Sequence, residues 1–128
     1  MAPRLVVKLL VLTTVLVVAA SGCGQDAASG DLDKVRIEIS RFDVTVTNTA
    51  SRSLLDVRVE ILPVGRATSY SVYVGRLENS EKRSFSFDRF TDRDAVPFSP
   101  RRAKASAVAV SANDIDGVAV HAEVPWKQ

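Results

Sequence analysis

Alternation of apolar and polar side chains with a period of two constrains the fold of this chain more than any other feature. The clearest example is the segment 54–62 (LLDVRVEIL), in which Leu55, Val57, Val59 and Ile61 alternate with charged residues. Because successive side chains of a β-strand point to opposite faces, this pattern predicts a strand with one buried and one exposed face. No window beyond residue 23 has the 3.6-residue period of a helix, so we expect the domain to be built from strands.

Six further segments show the same alternation. Their in-facing sets are Val35, Ile37 and Ile39; Phe42, Val44 and Val46; Tyr70, Val72 and Val74; Phe85 and Phe87; Val108 and Val110; and Val118, Val120, Ala122 and Val124. The apolar phase changes across Ser40 and Arg41, which predicts a bulge, a bend or a crossover between sheets there. The segment 113–117 (NDIDG) predicts a hairpin turn in which Gly117 has a positive φ angle.

Strands of this number and spacing, each with one apolar face, predict an antiparallel sandwich of about seven strands. The segments 42–48 and 55–62 resemble strands B and C of small bacterial immunoglobulin-like or fibronectin type III-like domains. The resemblance covers most of residues 34–125 and implies an all-β, immunoglobulin-like sandwich. It includes neither a disulfide pair nor a tryptophan in strand C, because the chain has one cysteine and its one tryptophan is Trp126. A small open barrel is the alternative architecture.

Residues 1–22 have the composition of an export signal. Arg4 and Lys8 form a short basic region, and residues 9–20 are apolar apart from two threonines. A run of this length suits the apolar core of a signal peptide and is shorter than the roughly 18–20 residues of a membrane-spanning helix. No Arg-Arg pair precedes the run, so nothing indicates twin-arginine export.

Ala20, Ser21, Gly22 and Cys23 follow the apolar run. This sequence resembles the cleavage motif of bacterial lipoprotein precursors, in which small residues precede an obligatory cysteine; Leu is commoner than Ala at the first position. The resemblance implies cleavage before Cys23, diacylglycerol on its thiol and acylation of its new amino group. Two or three acyl chains anchor a protein stably, whereas one is marginal. An uncleaved signal anchor and a secreted protein with a free thiol are the alternatives.

The same resemblance implies a location. Gly24 follows Cys23 in place of the Asp that favours retention in the inner membrane, so in a double-membraned bacterium we expect the periplasmic face of the outer membrane. Residues 24–33 (GQDAASGDLD) are small and polar, which predicts a flexible tether of roughly 15–20 Å. The expected division is 1–22 for the signal peptide, 23–33 for the lipidated cysteine and tether, and 34–128 for the β-domain.

The charge balance does not indicate a nucleic-acid partner. Of the 17 Lys and Arg residues, two (Arg4 and Lys8) precede Cys23, which leaves 15 opposite 15 Asp and Glu residues. A near-neutral domain with interspersed signs lacks the electrostatic footprint of a protein that binds a polyanion. With no second cysteine, the domain must also fold without a disulfide.

No residue pattern is a strong candidate for a catalytic or metal site. The one histidine, His121, falls on the polar face of the last strand, and no serine has the context of a nucleophile elbow. The segment 114–117 (DIDG) resembles a fragment of a calcium loop but lacks the further ligands, and a tight turn explains it. Asp88, Asp92 and Asp94 share a loop with arginines that we expect to pair with them. We therefore predict no catalytic residue, metal site or cofactor.

Residues 88–104 (DRFTDRDAVPFSPRRAK) form a connection that is long for a compact sandwich. The main interpretation is structural, with Phe90 and Phe98 folded back to close one end of the core. The alternative is a partner-binding loop formed by Phe90, Phe98, Arg101 and Arg102, because long loops on rigid scaffolds carry many binding sites. The same arginines are also candidates for contact with anionic lipid headgroups near the anchor.

These observations together favour a membrane-anchored envelope lipoprotein that acts as a non-catalytic binding or assembly module on a protein or glycan partner. Two alternatives are open: an enzyme or enzyme accessory acting on envelope polymers, and a structural scaffold with no discrete ligand. A concave pocket with convergent carboxylates would favour the enzyme. A filled core with an exposed strand edge would favour the binding module, with β-augmentation as one mode.

Overall fold

The computed structural model describes residues 27–65 and 67–127. The strands are β1 (Ser29–Gly30), β2 (Val35–Ile39), β3 (Asp43–Asn48), β4 (Leu54–Pro63), β5 (Tyr70–Leu77), β6 (Lys82–Ser86), β7 (Ala105–Asn113) and β8 (Ala119–Pro125). One turn of 3₁₀ helix, Phe87–Arg89, follows β6 directly. Within the two described ranges, no helix has the length and apolar character needed to span a bilayer. The predicted signal peptide, the motif Ala20-Ser21-Gly22 and Cys23 lie outside the described residues.

The strands form two antiparallel sheets, with the orders β1-β8-β7-β4-β5 and β2-β3-β6. β3 and β4 lie in different sheets, as strands B and C do in the immunoglobulin fold, and β5 extends the sheet of β4 as strand C′ does in variable domains. The prediction of an all-β, immunoglobulin-like sandwich is therefore confirmed. The seven expected strands are all present, and the two-residue β1 is an addition.

The apolar faces of the two sheets meet to form the core. Its completely buried side chains include Val44 and Val46 of β3, Val57, Val59 and Ile61 of β4, Val108 and Val110 of β7, and Val120 and Ala122 of β8. Burial of a Val or Ile side chain of this kind stabilises the fold by about 1.5–3 kcal/mol. In the described part of the chain, every buried side-chain nitrogen or oxygen atom has a hydrogen-bond partner.

β4 contains a bulge that the alternation did not predict. Asp56 has a φ angle of 51°, and the register with both neighbouring strands shifts around this residue. An extra residue in one strand changes which side chains face the core. Leu54 is consequently buried, whereas the predicted in-facing residue Leu55 is only half-buried.

Two predicted in-facing residues are exposed because they lie in turns. The phase change at Ser40 and Arg41 is a tight turn between β2 and β3, which pair in the same sheet, so it is neither a bulge nor a crossover. Phe42 belongs to this turn and is 75% exposed. Val118 likewise precedes β8 and is 54% exposed. The predictions for Phe42 and Val118 were wrong because alternation applies only within a strand.

The connections gather at the two ends of the sandwich. One end has the turn 40–42, the connection between β4 and β5, the long connection 87–104 and residues 126–127; we name it the basic end. The other end has the turns 31–34, 49–53, 78–81 and 114–118; we name it the acidic end. The described connections of the basic end carry seven Arg or Lys and three Asp residues, and those of the acidic end carry six Asp or Glu and two Arg or Lys residues.

Candidate functional site

β1 determines where the chain enters the sandwich. Ser29 and Gly30 pair with Glu123 and Ala122 in the middle of β8. The backbone N–H of Asp31 donates to the carbonyl oxygen of His121 at 2.7 Å, and the Asp31 carboxylate accepts the backbone N–H of His121 at 3.0 Å. Residues 29–33 fall in the segment predicted as a flexible tether, but backbone hydrogen bonds hold them to the sheet without needing apolar side chains.

Gly30 allows the close approach between β1 and β8. Its φ angle is +88°, and a Cβ atom at this position would overlap the carbonyl oxygen of His121. Glycine is the residue that tolerates both this conformation and this contact. Before β1, Ala28 lines a surface depression together with Pro125 and Lys127. The described chain therefore begins next to its own C-terminal residues, on the side of the basic end.

Phe90 and Phe98 of the long connection are buried at the basic end. Their side chains are 0% and 3% exposed, respectively. The backbone N–H of Phe98 donates to the carbonyl oxygen of Phe90 at 2.7 Å, which folds the connection back on itself. In this fold the two rings close the core, as in the structural interpretation of the sequence, and have no surface to present to a partner.

An aromatic cluster supports the long connection from beneath. The Phe98 ring centroid lies 5.2 Å from that of Tyr70, 5.7 Å from that of Phe87 and 5.6 Å from that of Trp126, all near edge-to-face. Each such pair contributes about 0.5–1.5 kcal/mol beyond its buried area. Through these contacts the long connection and Trp126 pack against Tyr70 of β5, which fixes the position of the surface formed by the connection.

The arginines of the connection remain at the surface. Arg101 and Arg102 line a depression of about 740 Å³ together with Arg41 and Phe42 from the turn after β2. Lys104 lines the adjoining depression, which shares Phe98 and Pro100 with the first. We name Arg41, Phe42, Arg101, Arg102 and Lys104 the basic surface. It joins two connections that are about 60 residues apart in sequence.

The cations of the basic surface have no carboxylate within 4 Å in the described ranges. The ion pairs among the described residues join Arg52 to Asp116, Arg76 to Glu78 and Arg83 to Glu81. All three arginines of those pairs lie outside the basic surface. Asp88 lines the same depression as Arg41, Arg101 and Arg102, but it forms no ion pair with them.

The aspartates of the long connection do not pair with its arginines. One Asp92 carboxylate oxygen accepts the backbone N–H groups of Asp94 and Val96, both at 2.9 Å. Asp88 accepts the hydroxyl of Ser86. The expected pairing was wrong because the turn offers these carboxylates local donors, which cost less conformational entropy than ordering a long arginine side chain.

The segment 114–118 is a turn of the same kind. One Asp114 carboxylate oxygen accepts the backbone N–H groups of Asp116 at 2.8 Å and Val118 at 2.9 Å. Gly117 has the expected positive φ angle, 79°. Across residues 27–65 and 67–127, no group of three or more His, Cys, Asp or Glu side chains is arranged to hold a metal ion.

Two glutamates of the acidic end are held in their ionised form. The Ser53 hydroxyl and the Arg76 guanidinium lower the pKa of Glu78 by hydrogen bonding to its carboxylate. The backbone N–H of Glu78, followed by the Arg83 guanidinium, lowers the pKa of Glu81 in the same way. A general acid needs a raised pKa, whereas the pKa values of these two glutamates are lowered. Their hydrogen bonds stabilise the turn 78–81.

The outer edge of β5 is an open strand edge. Ser71 exchanges two backbone hydrogen bonds with Thr91 of the long connection, of 2.9 and 3.2 Å, so this edge already accepts one extended residue. Because backbone groups alternate in direction along a strand, those of Tyr73 point the same way. The Tyr73 side chain is 62% exposed, and its hydroxyl donates to Asp56 at 3.1 Å.

The described residues present two surfaces, the basic surface and the open edge of β5, in addition to an open depression of about 480 Å³ at the acidic end that is lined by Asp33, Asp114 and Asp116. Both surfaces come from connections and strand edges on a filled core. No protein-family model, curated protein or solved structure matches this chain. The choice between functions rests on these residues and their geometry.

Proposed function

We propose that this protein is an exported lipoprotein, anchored to a bacterial envelope membrane through acylated Cys23, whose β-domain is a non-catalytic binding or assembly module. The observation that carries the anchor is the sequence Ala20-Ser21-Gly22-Cys23 at the end of an apolar run that follows two basic residues. In a double-membraned bacterium, Gly24 favours the outer membrane by the same resemblance.

A binding module suits the geometry of the domain better than an enzyme does. The core is filled by side chains, and the carboxylates of the two aspartate turns are engaged by backbone N–H groups. An enzyme acting on envelope polymers would need convergent acid and base groups in a cleft. An open strand edge, in contrast, is a ready template for an extended segment of a partner.

The edge of β5 is the surface that we propose for a protein partner. Thr91 pairs there with Ser71, and the backbone of Tyr73 continues the same edge. An added strand would take its affinity from backbone hydrogen bonds and its specificity from side chains such as Tyr73.

The anchor is tested by replacing Cys23 with Ser. We expect Cys23→Ser to abolish incorporation of labelled palmitate, because the hydroxyl does not accept the diacylglycerol group. Ser21→Ala keeps a small residue in the motif and should retain the label. Palmitate labelling of the Cys23→Ser protein, or no labelling of the wild type, would show that the lipid anchor is wrong.

The binding module is tested by photo-crosslinking in cells. A photoreactive amino acid replaces Tyr73 on the edge of β5 or, as a matched control, Val118, which has a similar exposure at the acidic end. We expect one stoichiometric envelope protein crosslinked at position 73 and absent at position 118. Recovery of no partner at either position would contradict the module and favour a scaffold.

A further inference from the structure

We propose that the basic surface is the face that the domain turns towards the membrane, and that it binds the headgroups of anionic phospholipids. The inference rests on the proposed anchor at Cys23 and adds to it an orientation and a class of lipid. Three independent features of the described residues lead to it: the position of chain entry, the unpaired cations and one exposed aromatic ring.

The position of chain entry limits which end of the domain can face the bilayer. Five residue steps separate Cys23 from Ala28, and an extended chain spans at most about 3.6 Å per step, or about 18 Å in total. Ala28 lies beside Pro125 and Lys127, towards the basic end. The turn that ends at Val118 lies six residue steps along β8 from Val124, which is about 20 Å at the rise of a strand.

These lengths favour the basic end. With the acidic end on the bilayer, Ala28 would stand about 20 Å above the surface, whereas five fully extended residue steps span about 18 Å. With the basic end on the bilayer, Ala28 and the anchor lie on the same side of the domain. The pairing of β1 with β8 holds this geometry in place.

The charge of the basic surface matches an anionic membrane. Arg41, Arg101, Arg102 and Lys104 are exposed, and none forms an ion pair among the described residues. Each basic residue close to an anionic bilayer raises the affinity about fivefold. Arg101 and Arg102 share a depression with Arg41, so several guanidinium groups can contact neighbouring phosphates at once.

Phe42 supplies an apolar contact in the same depression as Arg41, Arg101 and Arg102, and the carboxylate of its neighbour Asp43 accepts the Ser40 hydroxyl. The Phe42 ring is 75% exposed and stands on the turn between β2 and β3. The Ser40 hydroxyl oxygen accepts the backbone N–H groups of Phe42 and Asp43 at 3.2 and 3.1 Å, which holds the ring outward. An aromatic ring flanked by basic residues is the usual composition of a surface that lies in the headgroup region.

The acidic end provides the internal contrast. Ile115 has a comparable exposure of 53%, but its neighbours Asp114 and Asp116 carry negative charge. An anionic bilayer would repel that turn, so Phe42 and Ile115 form a matched pair of reporter positions.

The test uses the full lipidated chain, purified from membranes and reconstituted into vesicles of phosphatidylcholine with or without phosphatidylglycerol. Single replacements Phe42→Cys and Ile115→Cys each accept an environment-sensitive fluorophore, since acylation blocks the Cys23 thiol. We expect the label at position 42 to shift to the blue and to be quenched by brominated lipids when phosphatidylglycerol is present. The label at position 115 should remain in water in both kinds of vesicle.

Charge reversal then assigns the effect to the arginines. Arg101→Glu combined with Arg102→Glu should lower the docked fraction at position 42 at least fivefold. Arg58→Glu combined with Lys82→Glu changes the net charge equally at two exposed strand positions outside the basic surface, and should leave the quenching unchanged.

Equal behaviour of the two labels, independence from phosphatidylglycerol, or an equal effect of both charge reversals would overturn the orientation. Shielding of position 42 without lipid quenching would indicate contact with a second copy of the chain and would also overturn it. Palmitate labelling of the same samples tests the anchor separately. If Cys23 is not acylated, the Cys23→Ser chain is added to the same vesicles; binding lost on reversal of Arg101 and Arg102 supports the surface, and no binding overturns it.

Discussion

The two ends of the sandwich use their charged side chains in opposite ways. At the acidic end, the carboxylates of Glu78, Glu81 and Asp114 accept hydrogen bonds from the chain itself. At the basic end, Arg41, Arg101 and Arg102 line one depression and have no carboxylate within 4 Å in the described ranges. The difference teaches that a domain with balanced charge in its sequence can still present one sign on one face. Near-neutral composition is therefore a weak argument about the partner of a single face.

The two ends also share one local structure, which makes them comparable. Residues 92–96 (DRDAV) and 114–118 (DIDGV) form the same turn, in which the first Asp carboxylate accepts two backbone N–H groups. The fourth residue has a positive φ angle in both turns, 61° at Ala95 and 79° at Gly117. The basic end differs by the aromatic cluster that packs around Phe98, two residues after this turn.

The largest expected difference between the ends is in the free energy of unfolding that is lost when Phe98 is replaced. Phe98→Ala removes a buried ring that contacts Tyr70, Phe87 and Trp126, and we expect it to lower the free energy of unfolding by about 3–5 kcal/mol. Ile115→Ala, at an exposed position of the acidic end, should change it by less than about 0.5 kcal/mol. Urea unfolding of both variants measures the contrast. A loss below about 1 kcal/mol for Phe98→Ala would mean that the ring is not part of the core.

Asn48, the last residue of β3, is buried next to the acidic end, as Phe98 is buried at the basic end. It is 0% exposed; its Nδ2 donates to the carbonyl oxygens of Arg52 and Leu77 at 2.8 and 2.9 Å, and its Oδ1 accepts the Ala50 N–H at 2.9 Å. Because unsatisfied buried groups are costly, we expect Asn48→Ala to destabilise the domain by about 3 kcal/mol.

Asn48→Asp tests the two hydrogen bonds that Asn48 donates separately from the one that it accepts. It keeps an acceptor for Ala50 and loses both donors, so it should destabilise the domain as well. Thr49→Ala removes an exposed hydrogen bond to Asp33 and should cost about 0.5–1 kcal/mol. Equal unfolding midpoints for wild type and Asn48→Asp would contradict the role of the two donors.

Substitutions in the turns 92–96 and 114–118 should change the free energy of unfolding by smaller amounts and with opposite signs. Gly117→Ala places a Cβ in the left-handed region and should destabilise the domain by about 1 kcal/mol. Ala95→Gly relieves the same conformation and should stabilise it by up to about 1 kcal/mol, less the entropy that glycine adds to the unfolded chain. Thermal unfolding measures both. Changes of the same sign would show that the two turns are not equivalent.

The smallest expected effect is a pH dependence of stability that comes from Glu78 and Glu81 at the acidic end. Folding lowers the pKa of Glu78 and of Glu81 below the ordinary value of 4.5. The unfolded chain then binds protons more readily than the folded chain, so these carboxylates stabilise the fold above about pH 4.5 and lose that contribution as the pH falls further. Thermal midpoints at neutral pH and at about pH 3 should therefore differ less in a Glu78→Gln, Glu81→Gln variant than in wild type. An unchanged difference in the double variant would contradict this contribution of Glu78 and Glu81.

Local rules were sufficient for most strands. Alternation identified the buried faces of β3, β7 and β8, because a strand with one apolar face has one way to bury it. It was wrong at Leu55, where an unpaired residue at Asp56 changes the phase. It was also wrong at Phe42 and Val118, where the strand has not yet begun. These positions differ from the others only in backbone hydrogen bonding, which side-chain patterns do not encode.

The candidate surfaces were less predictable than the fold. Arg101 and Arg102 were identified from the sequence, but Arg41 and Phe42 were not, since they are distant in sequence and meet only when two connections fold over the same end. The open edge of β5 at Tyr73 gave no sequence signal, because any strand has the same backbone. The two aspartate turns could have been found from the shared pattern D-x-D-[A/G]-V.

By itself, the sequence determined the all-β class, the buried faces of most strands and the positive φ angle of Gly117, because these depend on residues close together in the chain. The tertiary structure alone decided that β1 pairs the entering chain with β8 and that the arginines of two distant connections gather at one end. Each of these depends on contacts between distant segments, whose geometry is set when the two sheets pack. The balanced charge of the sequence becomes two oppositely charged ends only at that step.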